Sequence, residues 1–432
     1  MHHRVLIIGT IPYNKNTSSR AFDAYFHNWE KENIRQVFSN TKTPVKGHCG
    51  SLYQITDHRL LKRRFGKIKE VGVIYHDEDL PNDWENNDLE VGNSFISQLY
   101  KIGSKDSPLK YLLRKYVWRK KYWDTKQFED WIDEFNPECV FLAFSDDFFI
   151  PEIALFVAER FNIPIMSCIG DDYYFNDKFS LSPFYHIYRS KYKALIRKVF
   201  SHKGSAIYIG DKIRDKYNKE FGLNGETVYL TSEIERHSFR IINKSQPRIT
   251  YCGNIRLGRN ESLADIGAAL VQINPSYRLE VYSAEKNEEF IKVLRGKPGV
   301  DYRGSVSYRK VMDVMADSDI VVIVEGFKPK DVQITRYSLS TKAADAMATG
   351  GQILVYGSIE CGVIEYMKST DCAVVCENKD DLKISIERLI SDVELQKKLY
   401  IQSGKMSVEH HDKDKNLNLS ESMFNNLIMN VN

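Results

Sequence analysis

The chain has 432 residues, which is more than one hydrophobic core usually organises, so its length predicts two domains. Its 61 basic and 58 acidic residues nearly balance and no recognised nucleic-acid motif is present, so we expect no nucleic-acid partner. The seven cysteines stand singly, without zinc-type spacing, which predicts reduced thiols in a cytosolic protein.

Hydrophobicity along the chain argues against a membrane-spanning protein. No apolar segment reaches the length of about 18 residues that a bilayer span requires. The N-terminus also lacks the long apolar region of a signal peptide. We therefore expect a cytoplasmic location.

The first residues predict the start of a doubly wound α/β domain. The apolar run Arg4 to Ile8 predicts a strand that ends at Gly9, and a polar loop from Thr10 to Ser19 precedes an amphipathic helix from Arg20 to Glu32. Ligands of such sheets bind at the carboxyl ends of the strands. We therefore expect Gly9 and Thr10 to face a ligand.

Two basic stretches follow, Arg59 to Lys69 and Lys110 to Lys121. The second mixes cations with aromatic and aliphatic residues at helix-like spacing and continues into Tyr122 and Trp123. Such a segment suits an anionic lipid surface, where Lys and Arg attract head groups and Trp or Tyr lie at the interface. A solvated charged helix face and a surface that stacks nucleic-acid bases are the alternatives.

A β-α-β pattern continues the first domain. It consists of a strand from Cys139 to Phe144, a helix from Ile150 to Phe161 and a strand from Ile163 to Ile169. Asp146 and Asp147 follow the first of these strands, and Asp171 and Asp172 follow the second. These carboxylates are candidate site residues, and helix capping is the alternative for the first pair.

A polar run without a clear period, residues 231–247, predicts the hinge between domains spanning 1–230 and 248–395. The second domain opens with a strand from Arg248 to Cys252, followed by a Gly-rich turn that contains Gly253, Arg256 and Arg259. Guanidinium groups pair well with phosphate oxygens, so this turn predicts a diphosphate cradle. Simple surface charge is the alternative for the two arginines.

The stretch from Ser338 to Gly362 carries the most specific signal. Ser338, Ser340 and Thr341 can cap a helix that ends at Gly350, and the strand Gln352 to Tyr356 follows. A helix N-terminus receives phosphate well, Lys342 adds a positive charge, and Asp345 lies one turn on along the same face. One element can thus bind both a phosphate and a polyol.

Residues 340–356 resemble the nucleotide-sugar loop and helix of GT-B glycosyltransferases, in particular retaining enzymes of bacterial capsule, lipopolysaccharide and exopolysaccharide assembly. The resemblance implies an α/β protein of two Rossmann-like, doubly wound domains that face each other across a cleft. Helices in residues 396–432 are then expected to cross back to the first domain. The two-domain layout argues against the metal-dependent architecture with an Asp-x-Asp motif, so we expect no metal and no other cofactor.

The resemblance also assigns roles to individual residues. Relatives often carry one Glu that contacts the donor sugar and, after seven further residues, a second that contacts the ribose, where this chain has Tyr337 and Asp345. Asp345 is expected to keep the ribose role, and Glu325, at the end of the predicted strand Ile320 to Val324, to take over the sugar contact. Asp171 and Asp172 are expected beside the donor-sugar cleft, and the catalytic candidates are therefore Asp171, Asp172 and Glu325.

We therefore expect a retaining transferase that moves a hexose from a nucleoside-diphosphate sugar to a lipid-linked or oligosaccharide acceptor. UDP is the expected nucleotide by family frequency, and Arg256, Arg259, Lys342 and the helix start at Ser340 would hold the leaving diphosphate. Relatives of this kind often act at the cytoplasmic face of the membrane. Tyr337 and Asn254, which stand where the family has charged residues, favour a non-catalytic component of a polysaccharide assembly complex as the alternative. A nucleotide-sugar epimerase of the same fold is the third possibility.

Overall fold

The structure is a computed structural model that describes residues 2–13, 19–82 and 108–430. The chain divides into two units, of which the first contains the residues up to Val228 together with those from Leu417 onward. The second unit is Tyr229–Asn416. Residues 231–247, the expected hinge, lie within the second unit.

The first unit is built on an eight-stranded sheet with the order β4-β3-β2-β1-β5-β6-β7-β8. All neighbouring strands are parallel except β3 and β4, which are antiparallel. The strands are β1 (Val5–Ile8), β2 (Ile34–Phe38), β3 (Ser51–Ile55), β4 (Gly72–His76), β5 (Cys139–Ala143), β6 (Ile165–Ile169), β7 (Gly204–Tyr208) and β8 (Glu226–Thr227).

Helices cover this sheet. They are α1 (Ser19–Phe26), α2 (Asp57–Arg64), α3 (Pro108–Val117), α4 (Lys120–Trp123), α5 (Lys126–Phe135), α6 (Phe149–Phe161), α7 (Pro183–Ser201) and α8 (Asp211–Phe221). The first helix ends at Phe26, before the expected Glu32, and a short 3-10 turn at Lys31–Asn33 leads into β2. Strands β2 and β3 were not predicted from the sequence.

The second unit contains a six-stranded, fully parallel sheet with the order β11-β10-β9-β12-β13-β14. Its strands are β9 (Ile249–Cys252), β10 (Leu279–Tyr282), β11 (Val300–Gly304), β12 (Ile320–Val324), β13 (Gln352–Tyr356) and β14 (Val374–Cys376). Its helices are α9 (Arg259–Ile273), α10 (Glu288–Ile291), α11 (Tyr308–Ala316), α12 (Pro329–Thr335), α13 (Lys342–Thr349), α14 (Gly362–Ser369), α15 (Leu382–Ser391) and α16 (Val393–His410).

A last helix, α17 (Lys413–Met429), begins at the end of the second unit and continues into the residues that group with the first. Every residue of β12 and β13 is buried, as expected for parallel strands that are covered on both faces. All seven cysteines are free. Within the three described ranges, no helix combines the length and the apolar character that crossing a bilayer would need.

Candidate functional site

The carboxyl ends of the parallel strands in the second unit bring several predicted residues to one edge of the sheet. Gly253 follows β9, Glu325 follows β12 and Gly357 follows β13. Helix α13 leads through Gly350 into the start of β13, so the opposite end of the helix, at Lys342, lies at the same edge as these strand ends. Ligands of doubly wound sheets bind at this edge.

Lys342 lies directly over Gly253. Its ammonium donates a hydrogen bond of 3.1 Å to the hydroxyl oxygen of Tyr251 and lies 4.7 Å from the centre of the Tyr251 ring. A Cβ atom at residue 253 would lie 2.3 Å from Cε and 2.7 Å from Nζ of Lys342, and the glycine has a φ of +151°. A side chain at residue 253 would therefore displace the end of the Lys342 side chain from this position.

Arg259 is bound at the next strand end. Its Nε and Nη2 atoms donate to the two carboxylate oxygens of Glu325 at 3.0 and 2.8 Å. The side chains are 13% and 3% exposed. Burial by itself would lower the pKa of Arg259. The neighbouring Glu325, and after it Tyr251, have the larger combined effect, so the pKa of Arg259 is raised. The hydroxyl of Ser262 donates to the Glu325 carbonyl at 2.7 Å, which fixes the strand end.

Arg256 is bound on the side of β9 that faces β10, whereas Arg259 is bound on the side that faces β12. Its Nε and Nη2 atoms donate to Glu285 at 2.5 and 3.0 Å. Glu285 follows β10, whereas Glu325 follows β12, and these two strands flank β9. The hydrogen bond from Arg256 and those from the Asn287 and Lys286 amides lower the pKa of Glu285 to about 2. The two arginines of the turn are thus held apart by separate carboxylates.

The hydroxyl residues before α13 differ in what they do. The Lys342 amide donates to Oγ of Ser340 at 3.4 Å, and the Ala343 amide donates to the Ser340 carbonyl at 3.0 Å. The expectation that Thr341 caps the helix is wrong, because it occupies the cap position without a side-chain hydrogen bond to the helix. Ser338 lies in the preceding turn, where its amide donates to the Thr335 carbonyl at 3.2 Å.

Two carboxylates of the second unit are engaged within the protein. Asp345 is 5% exposed and accepts a hydrogen bond of 2.8 Å from the Ser232 hydroxyl. Asp345 is therefore better placed to hold α13 against Ser232 than to make the expected contact with ribose. Glu325 is likewise turned to Arg259, which favours positioning of that arginine over the expected sugar contact.

The candidates of the first unit also lie after strands. Asp171 is exposed, whereas Asp172 is buried. Oδ1 of Asp172 accepts from the Tyr217 hydroxyl at 2.8 Å and from the amides of Phe175 and Tyr174 at 2.8 and 3.1 Å. Burial raises the pKa of Asp172 despite these bonds. Such a pattern gives Asp172 a structural role in the turn and does not favour the expected catalytic one.

Gly9 and Thr10 shape the end of β1. A Cβ atom at residue 9 would lie 3.1 Å from Cβ of Ala143 on the neighbouring strand. The carbonyl of Thr10 accepts from the amides of Ser39 and Asn40 at 3.3 and 3.0 Å. Both residues thus lie at the strand-end edge of the first sheet, as the sequence predicts, and both help to hold the backbone there.

The structure corrects two expectations for the first unit. Asp147 does not cap the next helix, because the cap position is Phe148 and the Asp147 carboxylate accepts from Nη1 of Arg114 at 2.5 Å. Trp118 and Trp123 cannot lie at a membrane interface, because each is only 1% exposed and packs in the core. The basic segment therefore does not offer the interfacial tryptophans that its sequence suggested.

Sequence reasoning missed the residues that organise the cations. Tyr251, Glu285 and Ser262 were not singled out, although each contacts a predicted site residue or its neighbour. A tyrosine in a buried strand looks like an ordinary core aromatic. The one sequence feature that could have singled out Tyr251 is its position two residues before Gly253.

Comparison with known proteins identifies the fold. No family model matches the sequence, and no curated protein sequence matches it. Among solved structures, the glycosyltransferase WaaG, involved in lipopolysaccharide biosynthesis, is 10% identical with a TM-score of 0.55, and the match covers 97% of this chain and 99% of WaaG.

Two further structures agree with this assignment. HepE of Anabaena, solved with UDP-glucose, is 10% identical with a TM-score of 0.57 and coverages of 98% and 100%. Sucrose-phosphate synthase of Thermosynechococcus elongatus is 9% identical with a TM-score of 0.59 and coverages of 99% for both chains. At these identities the likeness shows the fold alone, and it confirms the expected GT-B architecture.

Proposed function

We propose that the chain is a retaining glycosyltransferase that moves a hexose from a nucleoside-diphosphate sugar to a lipid-linked or oligosaccharide acceptor in bacterial surface polysaccharide biosynthesis. The observation that carries the proposal is the placement of Lys342 over Gly253 at the strand-end edge of the second sheet, with Arg259 held by Glu325 at the neighbouring strand end. The GT-B fold, shared with solved transferases, supports the reaction class. The complex of HepE with UDP-glucose supports UDP as the nucleotide.

Lys342 and Arg259 would stabilise the diphosphate that leaves the sugar. An ammonium has three donors, and Tyr251 accepts one of them, which leaves two for phosphate oxygens. Nη1 of Arg259 takes no part in the pair with Glu325 and can donate as well. Cations that are positioned before the donor arrives stabilise charge that develops on the leaving group without a cost of reorganisation.

The remaining predicted residues take supporting roles in this proposal. The positive end of the α13 dipole, next to Ser340 and Thr341, would attract a phosphate oxygen. Arg256 is half exposed and can exchange Glu285 for a donor phosphate, which is an equally good bidentate partner. Glu325 would hold Arg259 in place. In the first unit, the exposed Asp171 would contact the sugar or the acceptor.

One specific observation favours the non-catalytic alternative. Arg256 and Arg259 are each bound to a carboxylate of the protein itself, which neutralises much of the charge expected for a diphosphate cradle. A decayed donor site in a polysaccharide assembly complex would show this pattern. Turnover of the donor separates the two candidates.

In the decisive experiment, UDP-glucose labelled in the sugar is incubated with the wild-type protein, with Lys342→Ala or with Arg259→Ala, and the fate of the label is measured. The exposed Lys405→Ala serves as the matched control. We expect the wild type and the control to release UDP and free or transferred sugar, and the two site variants to lose this activity with their fold intact. Binding of UDP without turnover would support the non-catalytic alternative. A changed nucleotide sugar formed without an acceptor would identify an epimerase.

A further inference from the structure

The segment that the sequence predicts as a hinge, residues 231–247, is bound to helices of the second unit along its length. We call it the strap, and the structure describes all of it and places no helix or strand in it. Its Ile242 amide donates to Oε1 of Gln396 on α16 at 3.3 Å, and Nζ of Lys244 donates to the Ser391 carbonyl at the end of α15 at 3.1 Å. These bonds make the strap part of the packed second unit and distinguish it from a linker that few contacts cross.

The strap binds the last turn of α13. Nη1 of Arg236 donates to the Met347 carbonyl, and the His237 amide donates to the Thr349 carbonyl at 3.2 Å. Carbonyl groups in the last turn of a helix have no partner within the helix, and a positive charge beside them is favourable. Nη2 of Arg236 also donates to the Tyr400 carbonyl of α16 at 2.5 Å. The strap thus holds the end of α13 that lies opposite its first residue.

A further bond from the strap reaches the first turn of α13. The Ser232 hydroxyl donates to Oδ1 of Asp345 at 2.8 Å and accepts from the Ile234 amide at 3.2 Å. Asp345 is 5% exposed and lies three residues after Lys342, on the same face of the helix. The strap therefore binds the turn of α13 that carries the lysine of the proposed diphosphate site.

Helix α13 depends on such contacts for its position. It has only eight residues, and isolated helices of that length are marginal in water. The strap also lies close against the end of the helix, because a Cβ atom at Gly350 would lie 2.8 Å from the His237 carbonyl oxygen. A shift of the strap would therefore displace α13.

We propose that Ser232 is a positioning residue of the diphosphate site and that it holds Lys342 in place through Asp345. Without the Ser232 hydroxyl, the buried Asp345 carboxylate would lose a donor, and a buried charge with fewer hydrogen bonds is unfavourable. The first turn of α13 would then move to bring Asp345 to another donor or to water, and Lys342 would move with it. The inference rests on the proposed function, because the position of Lys342 matters for the donor only if the lysine binds it.

Hydrogen exchange without nucleotide tests the contact itself. In Ser232→Ala, we expect the amides of residues 343–349 to exchange at least about 3-fold faster than in the wild type, the effect of losing one hydrogen bond, and the amides of β13 to exchange at an unchanged rate. Ser232→Thr keeps a hydroxyl and should behave like the wild type. Ser245→Ala is the matched control, since the Ser245 hydroxyl donates to Oδ1 of Asn243 within the strap at 2.7 Å.

Isothermal titration with UDP tests the consequence for the site. We expect Ser232→Ala to bind UDP about 3- to 10-fold more weakly than the wild type, and Ser232→Thr and Ser245→Ala to keep the wild-type affinity. Recovery by threonine separates the role of the hydroxyl from a general loss of stability, because threonine restores the donor to Asp345.

The results that would overturn the inference differ from those that would overturn the proposed function. Unchanged exchange in α13 of Ser232→Ala, an unchanged UDP affinity, or a loss of affinity that Ser232→Thr does not restore would each overturn the inference and leave the proposed function intact. A wild type that binds no UDP would overturn the proposed function, and this inference with it.

Discussion

The Lys342 ammonium is held by the Tyr251 hydroxyl, which accepts a hydrogen bond of 3.1 Å from Nζ and donates its own proton to the Asn254 carbonyl. Tyr251 thus links the predicted lysine to the backbone of the turn that carries Arg256 and Arg259. The lysine is fixed through a neutral partner, so its positive charge is retained for a ligand.

The variant Tyr251→Phe should weaken UDP binding by about 3- to 10-fold, which corresponds to the loss of one hydrogen bond that positions Lys342. The ring remains, so packing and the melting temperature should change little. Isothermal titration with UDP measures the effect. Tyr277→Phe is the control, because that tyrosine donates to the Lys244 carbonyl and should leave the UDP affinity unchanged. Equal affinities for the wild type and Tyr251→Phe would remove Tyr251 from the site.

The variant Gly253→Ala should displace the Lys342 side chain, because the added Cβ would lie 2.3 Å from Cε. We expect UDP binding to weaken by at least about 10-fold, the effect of losing a charged hydrogen bond. Gly296→Ala is the matched control, since residue 296 also has a positive φ, of +76°, but has nothing within 4 Å of the new Cβ. If Gly253→Ala and Gly296→Ala change the UDP affinity equally, the change is due to backbone strain and not to displacement of Lys342.

Replacing either Arg259 or Glu325 alone should lower the free energy of unfolding more than replacing both together. Removal of one partner of a buried ion pair leaves an uncompensated charge and typically costs about 3 to 5 kcal/mol, whereas an apolar pair of similar size can be nearly neutral. We therefore expect Arg259→Met and Glu325→Met each to lower the free energy of unfolding in urea. The double variant should recover most of that loss. Additive effects of the two substitutions would show that the pair does not act as a unit.

The Arg256–Glu285 pair should give the stability of the protein a defined pH dependence. The pKa of Glu285 is lowered from 4.5 to about 2 in the folded protein, so its contribution is present above about pH 4.5 and is lost as the pH falls to about 2. The difference in melting temperature between the wild type and Glu285→Gln should shrink over this range. The melting temperature of Arg256→Met should approach that of the wild type over the same pH range. A difference in melting temperature that stays constant with pH would show that the pH dependence does not come from this ion pair.

Strands that consist of continuous apolar residues were well predicted from the sequence. The bounds of β12 and β13 agree with the predicted residues, because buried parallel strands have continuous apolar sequences that end at turn residues. Gly222 ends α8 in the left-handed conformation, as a glycine after a helix predicts. Strand β2 (Ile34–Phe38) escaped prediction because Arg35 and Gln36 interrupt its apolar pattern.

The candidate site was only partly predictable for a different physical reason. Gly253 and Lys342 were identified because a glycine turn and a helix start carry local sequence signals. Their contact, and the partners of the arginines, depend on which strand ends lie side by side, which local pattern does not encode. Asp147 and Asp172 show the same limit, since their partners Arg114 and Tyr217 come from other helices.

Lys342 and Arg259 are proposed to bind the diphosphate of a nucleotide sugar. Melting temperature measured with UDP, GDP and ADP tests this claim directly in the wild type, Lys342→Ala and Lys405→Ala. We expect UDP to stabilise the wild type and the Lys405 variant, by about 2.7 kcal/mol at 100 times its dissociation constant, and to have little effect on Lys342→Ala. If none of the three nucleotides raises the melting temperature of the wild type, or if Lys342→Ala responds like the wild type, the account is wrong.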